Sequence, residues 1–212
     1  MSLKRPRGMA ATLVVAAVAL ALSAAVAGAC MLKPDTNASA TFDVSATAAK
    51  SSLPSRLAAA RLATSKYVTN LGKAKADGYG ILTRMIPSMG WHFVNPNIKG
   101  AFDVRKPPIL VYEKRGGRWQ LGALEWTFPS KPAKPPLPGA KYGSFPAACH
   151  YKDGTFVEAS DQGACAPKSP QTGAAFNFWH PPLVTMHVWL WYPNPNGLYA
   201  SMNPLVKPFN KG

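Results

Sequence analysis

From residue 52 onward, apolar and polar positions recur first at a helical spacing and then at a spacing of two. Residues 53–77 form the helical stretch. Leu57, Arg61, Thr64, Val68, Leu71 and Lys75 follow one stripe, and Leu62, Ser65 and Thr69 another, so the apolar face is narrow. Ser52 or Ser55 can cap its start, and Asp77-Gly78 predicts its end. Alternation then predicts strands at Trp91–Asn95, Ile109–Glu113, Trp119–Phe128 and Met186–Tyr192. Gly116-Gly117 predicts a tight hairpin between the second and third. Lys152-Asp153-Gly154 predicts a smaller hairpin joining Ala148–Tyr151 to Thr155–Ala159. Residues 129–147 hold six prolines and predict an ordered surface loop. The expected fold is α+β, with one N-terminal helix packed on an antiparallel, Trp-rich sheet. A β-sandwich or barrel is the alternative.

The first 51 residues follow neither rhythm. Lys4, Arg5 and Arg7 precede a charge-free stretch from Met9 to Ala29 that ends in Ala27-Gly28-Ala29. A basic start, an apolar run and small closing residues predict a signal peptide over 1–29. An uncleaved anchor is the rival, since 21 apolar residues can span a bilayer. Val26-Ala27-Gly28-Ala29-Cys30 resembles a bacterial lipobox, with Ala27 in place of the usual Leu. It predicts lipidation at Cys30, with plain secretion by cleavage at the same bond as the alternative. Residues 30–51, rich in Ser, Thr, Ala and Asn, then read as a flexible tether to a single globular domain over 52–212.

Charge narrows the choice of partner. The 212-residue chain carries 24 Lys and Arg against 9 Asp and Glu, a formal +15. Without residues 1–29 the balance is 21 to 9, or +12. An exported basic protein is drawn to anionic lipid and other acidic envelope surfaces, in the periplasm or at the outer cell surface. Export argues against nucleic acid as the partner. The lysines also sit scattered in Pro/Gly loops, as a solvated surface does. Cys149 and Cys165, the cysteines of the mature body, are expected to form a disulfide. A reactive thiol beside His150 is the alternative, although neighbours on a strand point to opposite faces.

Three motifs are distinctive when taken together. They are Met89-Gly90-Trp91-His92-Phe93-Val94-Asn95-Pro96, then Pro108–Glu113 with Leu124-Glu125-Trp126, then the run from His187 to Gly197. With Ala63–Tyr67 and Ala76–Tyr79 they resemble a family of uncharacterised exported bacterial proteins, over about residues 60–204. The resemblance implies export and fold, and no particular activity. The Cys149–Cys165 segment lies outside its pattern.

The candidate chemistry sits inside those motifs. His92, Glu125 and His187 lie on three expected strands, and two imidazoles with one carboxylate can bind a divalent transition metal such as Zn²⁺, Cu²⁺ or Fe²⁺. Alternation puts His187 on the face of Trp189 and Trp191, and Glu125 on that of Leu121 and Ala123. His180 and Glu113 are reserves for a fourth ligand. The structural alternative has each histidine bonded to backbone and Glu125 paired with Arg84 or Arg118. The six tryptophans are expected in the core, with a few lining a cleft around the site. The steps Asn95-Pro96, Asn194-Pro195 and Asn203-Pro204 read as turns. No phosphate loop, nucleotide-binding fingerprint or nucleophile elbow is present. Three functions remain open: a membrane-tethered binding module, a metal-dependent envelope enzyme using the same residues, or a purely structural envelope protein.

Overall fold

A computed structural model describes residues 52–209. The expected signal peptide, Cys30 and the whole tether lie outside them. Among the described residues no helix is long and apolar enough to cross a membrane. The order is α1 (Leu53–Thr64), a 3₁₀ turn at Ser65–Tyr67, α2 (Leu71–Ala76), then nine strands: β1 (Gly80–Ile86), β2 (Gly90–Val94), β3 (Ile109–Arg115), β4 (Arg118–Phe128), β5 (Gly143–Phe145), β6 (Ala148–Tyr151), β7 (Phe156–Glu158), β8 (Phe176–His180) and β9 (Leu183–Val188). The fold is α+β and mostly sheet. A six-stranded antiparallel half-barrel has the order β1-β2-β3-β4-β9-β5, and a three-stranded sheet the order β7-β6-β8.

The expected single helix over 53–77 is broken in two. Ser52 caps α1 as expected, its side chain accepting from the Ser55 amide. The break lies where the sheet bonds two carbonyls. The Tyr67 carbonyl accepts from the Tyr112 hydroxyl, and the Val68 carbonyl from the Leu121 amide. The Val68 carbonyl is thereby lost to the next helical turn, while the Tyr67 carbonyl also closes a tight turn with the Asn70 amide. Asn70 then starts α2 by accepting from the Lys73 amide.

Both helices cover one face of the half-barrel. Ala60, Leu71 and Ala74 pack there with Leu110, Tyr112, Leu124, Trp126, Met186 and Val188. The other face carries a smaller apolar group of Ile109, Val111, Ala123, Trp189 and Val206, together with the polar site. A register shift at Val111/Tyr112 changes the expected facing of β4: Val111 pairs with Ala123 and Tyr112 with Leu121, so Gly122 is an extra residue. Leu121 therefore joins the helix-side core, while Ala123 stays on the face of Glu125. Trp191 also departs from its expected face, because β9 stops at Val188. The amides of Trp191 and Tyr192 donate to the Gly122 carbonyl, and the Trp191 indole donates to Thr64 beneath α1.

The three-stranded sheet touches both edges of the half-barrel. At the β1 edge, the Arg84 amide donates to the Gly154 carbonyl at 2.8 Å. Gly154 has φ of 82°, and a Cβ there would come 2.6 Å from Ile81, so this contact requires glycine. At the β5 edge, the Phe145 ring meets Phe156 and His180. A disulfide joins Cys149 on β6 to Cys165. Residues 80–86, 143–145 and 176–180 form strands that alternation had not marked. Asn95, Asn194 and Asn203 behave as expected, each side chain accepting from the amide two residues ahead.

Candidate metal centre

The three expected residues converge. On β3, Ile109 pairs with Glu125 of β4, and Val111 pairs with His92 of β2. Across the other side of β4, Glu125 pairs directly with His187 of β9. Register thus sets all three side chains on the face away from the helices. Their donor atoms lie within 4.8 Å of one another, and all three residues are buried. His92 Nε2 and His187 Nε2 each stand 3.6 Å from a Glu125 carboxyl oxygen. That is too long for a hydrogen bond. A four-coordinate ion with bonds of about 2.1 Å holds its ligands about 3.4 Å apart, close to the two histidine–Glu125 distances, so sharing one requires mainly that the wider-spaced donors draw together.

Burial keeps the group uncharged. It pushes the Glu125 carboxyl up to about 8. It pushes His92 down to about 3, with His187 and His150 adding to the effect, and His187 down to about 4. At neutral pH a carboxylic acid faces two neutral imidazoles, and these are not ion pairs. A divalent cation would displace the Glu125 proton and meet two ready lone pairs.

Hydrogen bonding around the site is incomplete. Thr83 on β1 holds His92 Nδ1 at 2.8 Å and orients that ring. No such partner orients His187: both of its ring nitrogens are buried without a hydrogen bond. Glu125 does not pair with Arg84, whose guanidinium is bonded to Asp153. The reserve ligands are corrected as well. Glu113 is outside the cluster, with both carboxyl oxygens buried and unpartnered, and desolvation raises it to about 7. His180 reaches the same cavity, but its Nε2 faces His150 Nε2 at 3.0 Å.

A cavity of about 260 Å³ opens beside the cluster, and all four histidines line it. The expected tryptophan lining is absent. Apolar walls come from residues such as Leu82, Ile109, Phe145, Phe178, Leu183 and Met202. The tryptophans pack elsewhere, Trp91 edge-on to Trp119 and Trp126 against Phe102, while Trp179 and Trp189 donate to the Ala159 and Ala200 carbonyls. The sequence reading missed Thr83 and the cavity wall formed by β8. The alternation in Phe176-Asn177-Phe178 was the available signal for β8. Compared with known proteins, the chain finds no matching family model, no matching curated protein and no matching solved structure.

Proposed function

We propose that this chain is an exported, lipid-tethered binding protein whose cavity holds a divalent transition metal through His92, Glu125 and His187. The observation that carries the metal is His187. A buried imidazole with two unpartnered nitrogens is costly, and a carboxyl oxygen and a second imidazole stand within ligand distance of it. Two imidazoles and one carboxylate suit Zn²⁺, Fe²⁺ or Cu²⁺. The bound ion would supply Lewis acidity at the floor of an apolar pocket, matching a small ligand with one polar end. Export rests on the N-terminal sequence pattern, and a disulfide is compatible with an oxidising compartment. The basic surface suits an anionic envelope.

A second reading, a metal-dependent enzyme, is favoured by one observation. The chain provides three clustered donors, which is the number that leaves a coordination position open toward a cavity.

The test is metal analysis of the purified mature protein after incubation with Zn²⁺ and desalting. One ion is expected per functional cluster, and His187→Ala is expected to lose the ion from this one. Equal retention by the wild type and His187→Ala would remove the assignment. Intact mass of the membrane fraction tests the anchor: cleavage before Cys30 with added acyl mass supports it, and unacylated protein alone removes it.

A further inference from the structure

The opposite wall of the cavity carries a second pair of imidazoles. His150 lies on β6 and His180 on β8, where His150 pairs with Phe178 and Ala148 with His180, so the two histidines are diagonal neighbours on one face. Their Nε2 atoms stand 3.0 Å apart. Each Nδ1 faces a backbone carbonyl: Leu82 O at 3.1 Å for His150, and Pro181 O at 2.7 Å for His180.

These contacts determine where the hydrogens are. A carbonyl oxygen only accepts, so both Nδ1 atoms must donate. In a neutral imidazole the remaining nitrogen then has only its lone pair. Two Nε2 lone pairs therefore face each other at a distance where one partner ought to donate. Two neutral rings cannot satisfy this arrangement. Something positive belongs between them, and it is either an extra proton or a metal ion.

Two observations favour the metal. An Nδ1–H bonded to a backbone carbonyl is the outer contact that fixes the tautomer of a metal-ligating histidine. The thioether residues Met89 and Met202 line the same cavity, and sulfur ligands favour soft copper(I).

We infer that His150 and His180 form a second metal site, separate from the His92–Glu125–His187 cluster, that takes a soft d¹⁰ ion of the copper(I) type between two Nε2 atoms. Bonds near 2 Å need the two nitrogens about 1 Å farther apart than they stand. His180 can supply that movement, since it is only partly buried at the end of β8. A hard, oxygen-seeking ion has no match in this pair. The inference uses none of the three residues of the first cluster.

The probe is Ag⁺, a diamagnetic stand-in for copper(I), added to the purified mature chain. Long-range ¹H–¹⁵N spectra of the imidazoles report which nitrogens bind. Both Nε2 signals of His150 and His180 are expected to move together, and His180→Gln is expected to weaken Ag⁺ binding at least 10-fold. His187→Ala is expected to leave that binding in place. His180→Gln keeps the size of a partly exposed side chain and is paired with a far-ultraviolet dichroism check of folding. Spectra of the unsubstituted chain give a second, mutation-free readout. Ag⁺ that shifts only His92 and His187, or a pair that keeps a shared proton through the titration, overturns the second site. The first of those outcomes leaves the proposed cluster standing, and loss at His187 alone leaves the pair standing.

Discussion

The two faces of the half-barrel make opposite use of burial. On the helix side, Leu110, Leu124, Met186 and Val188 meet Leu71 and Ala74, and the buried hydroxyls of Tyr112 and Tyr79 donate to the Tyr67 and Pro107 carbonyls. Every apolar group removed from water there stabilises the fold. On the other face the same strands bury His92, Glu125, His187 and Glu113, with few hydrogen bonds to offset their desolvation. A buried polar group without a partner costs about 1–3 kcal/mol. One face holds the protein together, and the other gives up part of that stability to bury a polar cluster that could hold a metal. A feature retained at a cost is the natural place to look for function.

Mutations can separate the two faces. Leu124→Ala, on the helix side, should destabilise the domain by about 3–4 kcal/mol, measured by denaturant unfolding. Any molecules that remain folded should bind Zn²⁺ as before. A comparable loss of affinity would mean that the faces are coupled. The disulfide is a staple on the polar side. Cys149→Ser with Cys165→Ser should cost about 3 kcal/mol for a closed loop of this length, with Zn²⁺ affinity unchanged.

Glu125→Gln should do the reverse of Leu124→Ala. Its amide keeps the volume and removes the ionisable ligand, so Zn²⁺ affinity should fall 10-fold or more while the metal-free midpoint stays level or rises. A lower midpoint with intact affinity would assign Glu125 to structure. Zn²⁺ at 100 times its dissociation constant should also raise the stability of the wild type by about 2.7 kcal/mol. That gain should vanish in Glu125→Gln.

The polar face predicts its own pH profile for the metal-free protein. Glu113 and Glu125 are raised from 4.5 to about 7 and about 8, so their contribution is complete below about pH 4.5 and is lost as pH rises through those values. His92, His150 and His187 are lowered from 6.5 to about 3, about 4 and about 4, so stability is regained as pH rises toward 6.5. Three histidines outweigh two carboxyls below about pH 6.5, and only the carboxyls act above it. Thermal midpoints should therefore peak near pH 6.5. Glu113→Gln should flatten the decline above the peak, as should saturating Zn²⁺, which holds Glu125 ionised. A profile that rises steadily to pH 8 would contradict the buried neutral cluster. The smallest effect is expected for Thr83→Val, which frees His92 Nδ1. A loss of up to about 10-fold in Zn²⁺ affinity with little change in stability is expected by calorimetric titration.

Much of this molecule was legible locally. The β2, β3 and β4 strands were legible as short runs rich in apolar and aromatic residues, and the β3–β4 hairpin from Gly116-Gly117, because such runs bounded by turn residues suit strands buried on both faces. The asparagine turns were legible because each bond closes within two residues. Two histidines and a carboxylate on separate strands were nameable as a set, since residue type alone decides what can bind a metal. Other features depended on distant partners. The helix did not continue past Val68 because a strand more than 40 residues away took the Val68 carbonyl. The bulge at Gly122 moved Leu121 to the other face, and a bulge is a property of paired strands rather than of one. His150 and His180 met because β8 returned beside β6, and their shared lone-pair conflict arises only once Leu82 and Pro181 fix both Nδ1 hydrogens. The sequence determined which side chains could do chemistry and which segments would alternate. The tertiary structure decided which of them face one another, because that depends on register and curvature set by contacts remote along the chain.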